Sequence, residues 1–139
     1  MSDIKIVEYN TEYRSIWDSF VDNSNNGTMF HKQDFLDYHT PGRFNFYHLL
    51  FFINNKLIAV LPGGLKDDGR TFWSPTGASY GSIVTNDISF ELSLEIVDAF
   101  MEFCRAKGIV DAYLIPPPLI YSINYSQHIE YAMLYRKFD

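Results

Sequence analysis

Cysteine is nearly absent from this chain. The single thiol, Cys104, excludes an internal disulfide and fits a reducing compartment. Cations are also scarce: 11 Lys and Arg stand against 17 Asp and Glu, a formal net charge of −6. They form no cluster, so a phosphate-tracking surface, and with it direct DNA binding, is not expected. No apolar run approaches the length of a bilayer span. The opening Met1-Ser2-Asp3 starts no basic-then-apolar leader. These absences lead to the expectation of a cytoplasmic protein with no membrane span. The four histidines, His31, His39, His48 and His128, form no HxxxH pair and no Cys/His cluster, so no metal site is expected. Gly63-Gly64 has no Lys-Ser/Thr after it and is not a P-loop.

Aromatic side chains, by contrast, are plentiful: twelve Phe, ten Tyr and two Trp. Rings of that size carry large buried areas, so most should be core. The length of 139 residues suits one domain. A globule of this size buries roughly two-thirds of its unfolded surface and needs no covalent staples.

Hydrophobic periodicity divides the chain into alternating elements. Ile4 to Tyr9 reads as a strand. A helix capped by Asn10 or Thr11 runs to about Asp22, with Tyr13, Ile16, Trp17 and Phe20 on one face. The turn residues from Asn23 to Gly27 stop it. A short helix over His31 to His39 should turn Phe35 and Tyr38 inward. Phe44 to Ile53 reads as a long strand, Asn54-Asn55-Lys56 as a hairpin turn, and Leu57 to Leu61 as the partner strand. Pro62-Gly63-Gly64 interrupts that strand. Thr71-Phe72-Trp73 and Ile83-Val84 are short strands. The longest helix spans Phe90 to Lys107, capped by Asp87 or Ser89 and closed by Gly108. Its apolar face holds Cys104, expected to be buried and inert. Ile109 to Ile115 reads as a buried strand ended by Pro116-Pro117-Pro118. Ser126 can cap a last helix over Gln127 to Lys137. Helices alternating with hairpin-joined strands predict an α/β (α+β) fold with a mixed β-sheet flanked by helices.

The most informative stretch for function is Ser74-Pro-Thr-Gly-Ala-Ser-Tyr-Gly-Ser82. Two glycines permit close approach of a ligand to the backbone. The hydroxyls of Ser74, Thr76, Ser79 and Tyr80 can bond a polar ligand. The plain alternative is a tight turn between strands. Gly77-Ala-Ser79-Tyr-Gly81 also fits the G-x-S-x-G elbow of serine hydrolases, which needs a helix directly after the motif. The β-branched residues after Gly81 instead predict a strand.

Several strings together resemble a known family. They are Trp17-Asp-Ser-Phe20, Asn26-Gly-Thr-Met-Phe-His31, Lys56-Leu-Ile-Ala-Val-Leu-Pro62, Gly77–Gly81, Pro116-Pro-Pro-Leu-Ile-Tyr121 and Glu130-Tyr-Ala-Met-Leu-Tyr-Arg136. In order and spacing they resemble the N-terminal half of Fem-like members of the GNAT acyltransferases. The resemblance implies a single GNAT-like domain over residues 1–139, the N-terminal half of a tandem protein. It implies transfer of an acyl or aminoacyl group to an amine or hydroxyl of a cell-envelope or polysaccharide precursor, a glycan or peptide. Ser74, Thr76, Gly77, Ser79, Tyr80 and Gly81, with His31 secondary, would contact this acceptor; no catalytic residue is assigned.

The chain departs from that family at the donor site. The wider superfamily holds the acyl-CoA pyrophosphate on a Q/R-x-x-G-x-G/A turn at a helix N-terminus. Arg105-Ala-Lys-Gly-Ile-Val110 has Val at a Gly/Ala position and falls at a predicted helix C-terminus, where the dipole repels phosphate. No cofactor is therefore expected on this chain. Acyl-CoA or aminoacyl-tRNA would belong to a second half following Asp139, and the chain alone should be inactive. The expected partner is that second GNAT-like half or a homodimer mate, meeting an uncovered apolar face around Ile129 to Tyr135. The competing readings are a non-catalytic binding module and, more distantly, a serine hydrolase acting through Ser79.

Overall fold

The computed structural model describes residues 3–39, 41–124 and 127–136. Strands β1 (Lys5–Glu8), β2 (Leu49–Ile53), β3 (Lys56–Leu61) and β6 (Val84–Thr85) form an antiparallel sheet ordered β1-β2-β3-β6. The β2–β3 hairpin turns at Asn54 and Asn55, both with positive φ, 48° and 65°. Asn tolerates that region, and such a turn matches the twist of paired strands.

Side-chain alternation gives this sheet two apolar faces. Leu49, Phe51, Ala59 and Leu61 pack with Ile96 and Phe100 of helix α3 (Phe90–Lys107). Leu50, Val60 and Val84 pack with Trp17 and Val21 of helix α1 (Arg14–Asp22). Helices thus cover both sides. The mixed character lies in a second sheet. There β5 (Thr71–Ser74) pairs antiparallel with β4 (Gly64–Lys66) and parallel with β7 (Asp111–Leu114). Ser89 caps α3 through its hydroxyl, and Gly108 ends it at φ 75°. A last helix, α4 (His128–Tyr135), packs Ile129 and Ala132 inward. The Ser126 cap and the Lys137 end expected for it lie outside the described residues. Among the described residues, no helix is long and apolar enough to cross a membrane.

Four expectations need correction. The strand expected over Phe44–Ile53 is regular only from Leu49. Pro62 has no N–H to offer the ladder, and the ring of His48 takes the Gly63 N–H at 3.0 Å. The helix expected over His31–His39 is a 3₁₀ turn at Met29–His31 followed by a short α2 (Gln33–Leu36). Lys32 between them is extended, because the Asp18 carboxylate accepts the Gln33 N–H at 2.6 Å and sets a new start. Tyr38 consequently points outward and is 87% exposed. In α1 Trp17 and Val21 are buried with Tyr13 and Phe20 packed partly buried beside them, so of the expected face only Ile16 turns outward. At about 3.6 residues per turn Tyr13, Trp17, Phe20 and Val21 fall on one stripe, and Ile16 lies at its edge. Finally β7 is not buried: it is the outer strand of its sheet, and Asp111 and Tyr113 face solvent.

Candidate functional site

Residues 74–82 carry the chain from β5 in one sheet to β6 in the other. Such a crossing cannot pair regularly with either sheet, so its polar groups need other partners. Two histidines supply them. His31 is fully buried. Its Nδ1 accepts the Thr28 N–H at 3.0 Å, which assigns the ring proton to Nε2. Nε2–H then donates to the Gly81 carbonyl at 2.7 Å. Burial holds the His31 pKa below its ordinary value, against the opposing pull of the Gly81 carbonyl. His39 Nε2–H donates to the Gly77 carbonyl at 2.6 Å. The glycines at the two ends of Gly77-Ala-Ser-Tyr-Gly81 are thus each held by a different imidazole.

Further bonds fix the flanks. The buried Ser74 hydroxyl accepts the Ser82 N–H at 2.7 Å, and the Gly81 N–H reaches the Ile115 carbonyl at 2.8 Å. The Thr76 hydroxyl donates to the Trp73 carbonyl at 2.9 Å. Gly77 sits at φ 74°, with Phe44 and His39 so close that a Cβ would clash. At Gly81 a Cβ would lie 2.5 Å from Ser74 Oγ. Close packing therefore requires both glycines, and at Gly77 the positive φ requires it as well.

The sequence-selected residues separate into two groups. Ser74, Thr76, Gly77, Gly81 and His31 are taken up in holding the loop. Ser79 is exposed and Tyr80 half-buried, on an arch whose Ala78, Ser79 and Tyr80 N–H groups bond nothing among the described residues. The Tyr80 ring meets Phe30 edge-on at 5.7 Å and Tyr121 at 6.0 Å. Phe30 also meets Phe35 at 5.0 Å. Phe35 lines a cleft of about 460 Å³ together with Met29, Lys32, Asp34 and Tyr38. Sequence did not assign His39, Phe30 and Tyr121 to the acceptor site, since nothing in their local pattern points to residues 38 to 50 positions away.

The context for a hydrolase elbow is absent. β6 follows the arch, and the next helix begins only at Phe90. Ser79 makes no hydrogen bond among the described residues, and His128 instead engages the Ile88 carbonyl at 2.5 Å. A nucleophile and its base need to be within hydrogen-bond reach. The Arg105–Val110 turn lies at the C-terminal end of α3, where Gly108 N–H closes on the Arg105 carbonyl at 3.3 Å. The N-terminal end of α3 carries Asp87 just before the cap and Glu91 in the first turn. The C-terminal end has the dipole sign that disfavours a phosphate, although Arg105 and Lys107 stand in its last turn, and the acidic side chains at the N-terminal end offset the favourable dipole there. Among the described residues, no group of three or more His, Cys, Asp or Glu could hold a metal ion. No protein-family model matches the chain, and no curated protein matches it.

Proposed function

We propose that this chain is the acceptor-side domain of an acyltransferase of the Fem-like GNAT kind. A second, donor-holding unit would supply the activated acyl or aminoacyl group as acyl-CoA or aminoacyl-tRNA. The observation that carries the reading is the arch at Ala78–Tyr80. Its ends are held by the buried His31 and the half-buried His39, while three peptide N–H groups, the Ser79 hydroxyl and the Tyr80 phenol have no hydrogen-bond partner among the described residues. A rigid polar arch beside aromatic rings is suited to a sugar or peptide carrying hydroxyls and amides. The rings of Tyr80 and Tyr121 stack on its apolar face, and the arch bonds its polar edge. The chemistry at a phosphate is left to the other unit, consistent with the acidic N-terminal turn of α3.

Calorimetric titration with a soluble disaccharide–pentapeptide envelope precursor tests this. Binding in the micromolar to millimolar range, weakened at least tenfold by Tyr80→Ala with the fold unchanged, is expected. No heat with the native chain, or equal binding by Tyr80→Ala, overturns the reading.

A second reading, a non-catalytic interaction module, is favoured by one observation. Exposed apolar side chains run along β7 and beyond it, from Val110 through Tyr113 and Ile115 to Ile123. Under that reading the precursor does not bind and a protein partner does.

A further inference from the structure

The outer side of β7 carries a set of groups with a defined geometry and no partner among the described residues. In the parallel pairing with β5, Asp111 N–H donates to the Arg70 carbonyl and Ile115 N–H to the Ser74 carbonyl at 2.7 Å. The strand's two-residue period then turns Asp111, Tyr113 and Ile115 backbone groups toward β5. It turns the N–H and C=O of Ala112 and Leu114 away from the sheet. Edge strands are usually guarded by Lys, Pro or a bulge. Asp111–Leu114 has none of these; its one charge is Asp111 at the start.

The side chains tell the same story. Lys66 Nζ lies 4.7 Å over the Trp73 ring, and Trp73 stacks on Tyr113 at 4.5 Å with planes 23° apart. This row crosses all three strands of the sheet and stops at Tyr113, which is 48% exposed. Beyond the strand, Ile115, Ile120, Tyr121 and Ile123 are also exposed. Along the edge itself, Val110, Tyr113 and Ile115 leave on the order of 300 Å² of side-chain surface open, beside the unpaired backbone of the strand.

We infer that the β7 edge is the seat of a two-fold dimer, in which β7 pairs antiparallel with β7 of a second copy of this chain. The outward amides fix the register. Ala112 of each copy must exchange hydrogen bonds with Leu114 of the other, which places Tyr113 on the two-fold axis opposite itself. That register is self-consistent in three ways. Every outward N–H and C=O of the strand gains a partner. The row Lys66–Trp73–Tyr113 continues through the axis into Tyr113, Trp73 and Lys66 of the second copy. Asp111 falls opposite Ile115 of the other copy, so no like charges face each other. A foreign extended peptide would satisfy the amides alone; a second copy also completes the ring row. The inference rests on the sheet edge and does not depend on the acceptor reading.

Sedimentation of the full chain across a dilution series, combined with a cysteine trap, tests it. A non-hydrogen-bonded pair has its Cα atoms about 4.5 Å apart, within disulfide reach. Tyr113→Cys is therefore expected to oxidise to a symmetric disulfide dimer, whereas Asp111→Cys, facing Ile115, is not. Tyr113→Lys sets two ammonium groups against each other on the axis and should raise the dimer dissociation constant at least tenfold while leaving the melting curve of the protomer intact. A native chain that stays monomeric at about 100 µM, far above the range of specific association, overturns the proposal. Equal trapping at positions 111 and 113 overturns the register. If Tyr113→Lys fails to fold, the cysteine pair still decides.

Discussion

Replacing His31 by Leu separates holding the arch from filling space. Leucine occupies much of the imidazole's volume, so the cavity cost is small, but neither ring bond survives. The Gly81 carbonyl loses a 2.7 Å donor and the Thr28 N–H loses a 3.0 Å acceptor. Each polar group left unpaired in the interior costs about 1–3 kcal/mol. The summed loss is about 2–6 kcal/mol, a large share of the 5–15 kcal/mol typical of a domain. Urea unfolding gives the total. Amide exchange places it: the Gly81 and Ser82 amides, bonded to Ile115 O and Ser74 Oγ, should open faster than those in the middle of α3. A loss under about 1 kcal/mol, with Gly81 and Ser82 protected as before, would refute the clamp.

Three further outcomes follow from the packing. Burial lowers the His48 pKa to about 4, so this ring stays neutral in the fold. Unfolded, it titrates near about 6.5. Above that pH the ring adds no pH dependence. Between about pH 6.5 and 4 only the unfolded chain takes the proton, and stability falls by about 3 kcal/mol. Burial of His31 acts in the same direction. Urea melts of His48→Gln should lose most of this slope, and an unchanged slope contradicts the assignment. Asn26 accepts the Thr85 N–H and donates to the Ile83 carbonyl, both at 2.9 Å, standing in for a strand beside β6. Asn26→Ala should destabilise by about 1–3 kcal/mol in thermal melts, and a neutral result removes that role. Burial pushes the Cys104 thiol up to about 12. Its reaction with a disulfide reagent should therefore track global unfolding, and rapid labelling of the native chain contradicts it.

Elements bounded by local signals were legible from sequence. Ser89 and Gly108 mark the ends of α3 because capping is settled within a turn of the helix. Asn54 and Asn55 mark the β2–β3 turn because they accept positive φ. Elements settled by distant partners were not legible. Phe44 to His48 looks like strand, yet its rings stack on one another and on His39 while Pro62 breaks the facing ladder. Tyr38 has helical spacing, but Asp18 on another helix restarts the chain at Gln33. For the site, the Gly-Ser loop itself stood out by composition. Its division into a held frame and an open arch did not. That division depends on His31 reaching Gly81 and His39 reaching Gly77. The uncovered apolar surface was expected on the last helix. Tyr131, Leu134 and Tyr135 are indeed exposed there, but the β7 edge adds open backbone groups that α4 does not have.

The most direct test of the acceptor-side account is an amide-resolved NMR titration of the whole chain with two ligands in turn, the disaccharide–pentapeptide precursor and acetyl-CoA. The account predicts saturable shifts at Ala78, Ser79, Tyr80 and Tyr121 with the precursor and none at either end of α3 with acetyl-CoA. Shifts at α3 with acetyl-CoA, or a silent arch with the precursor, would contradict it.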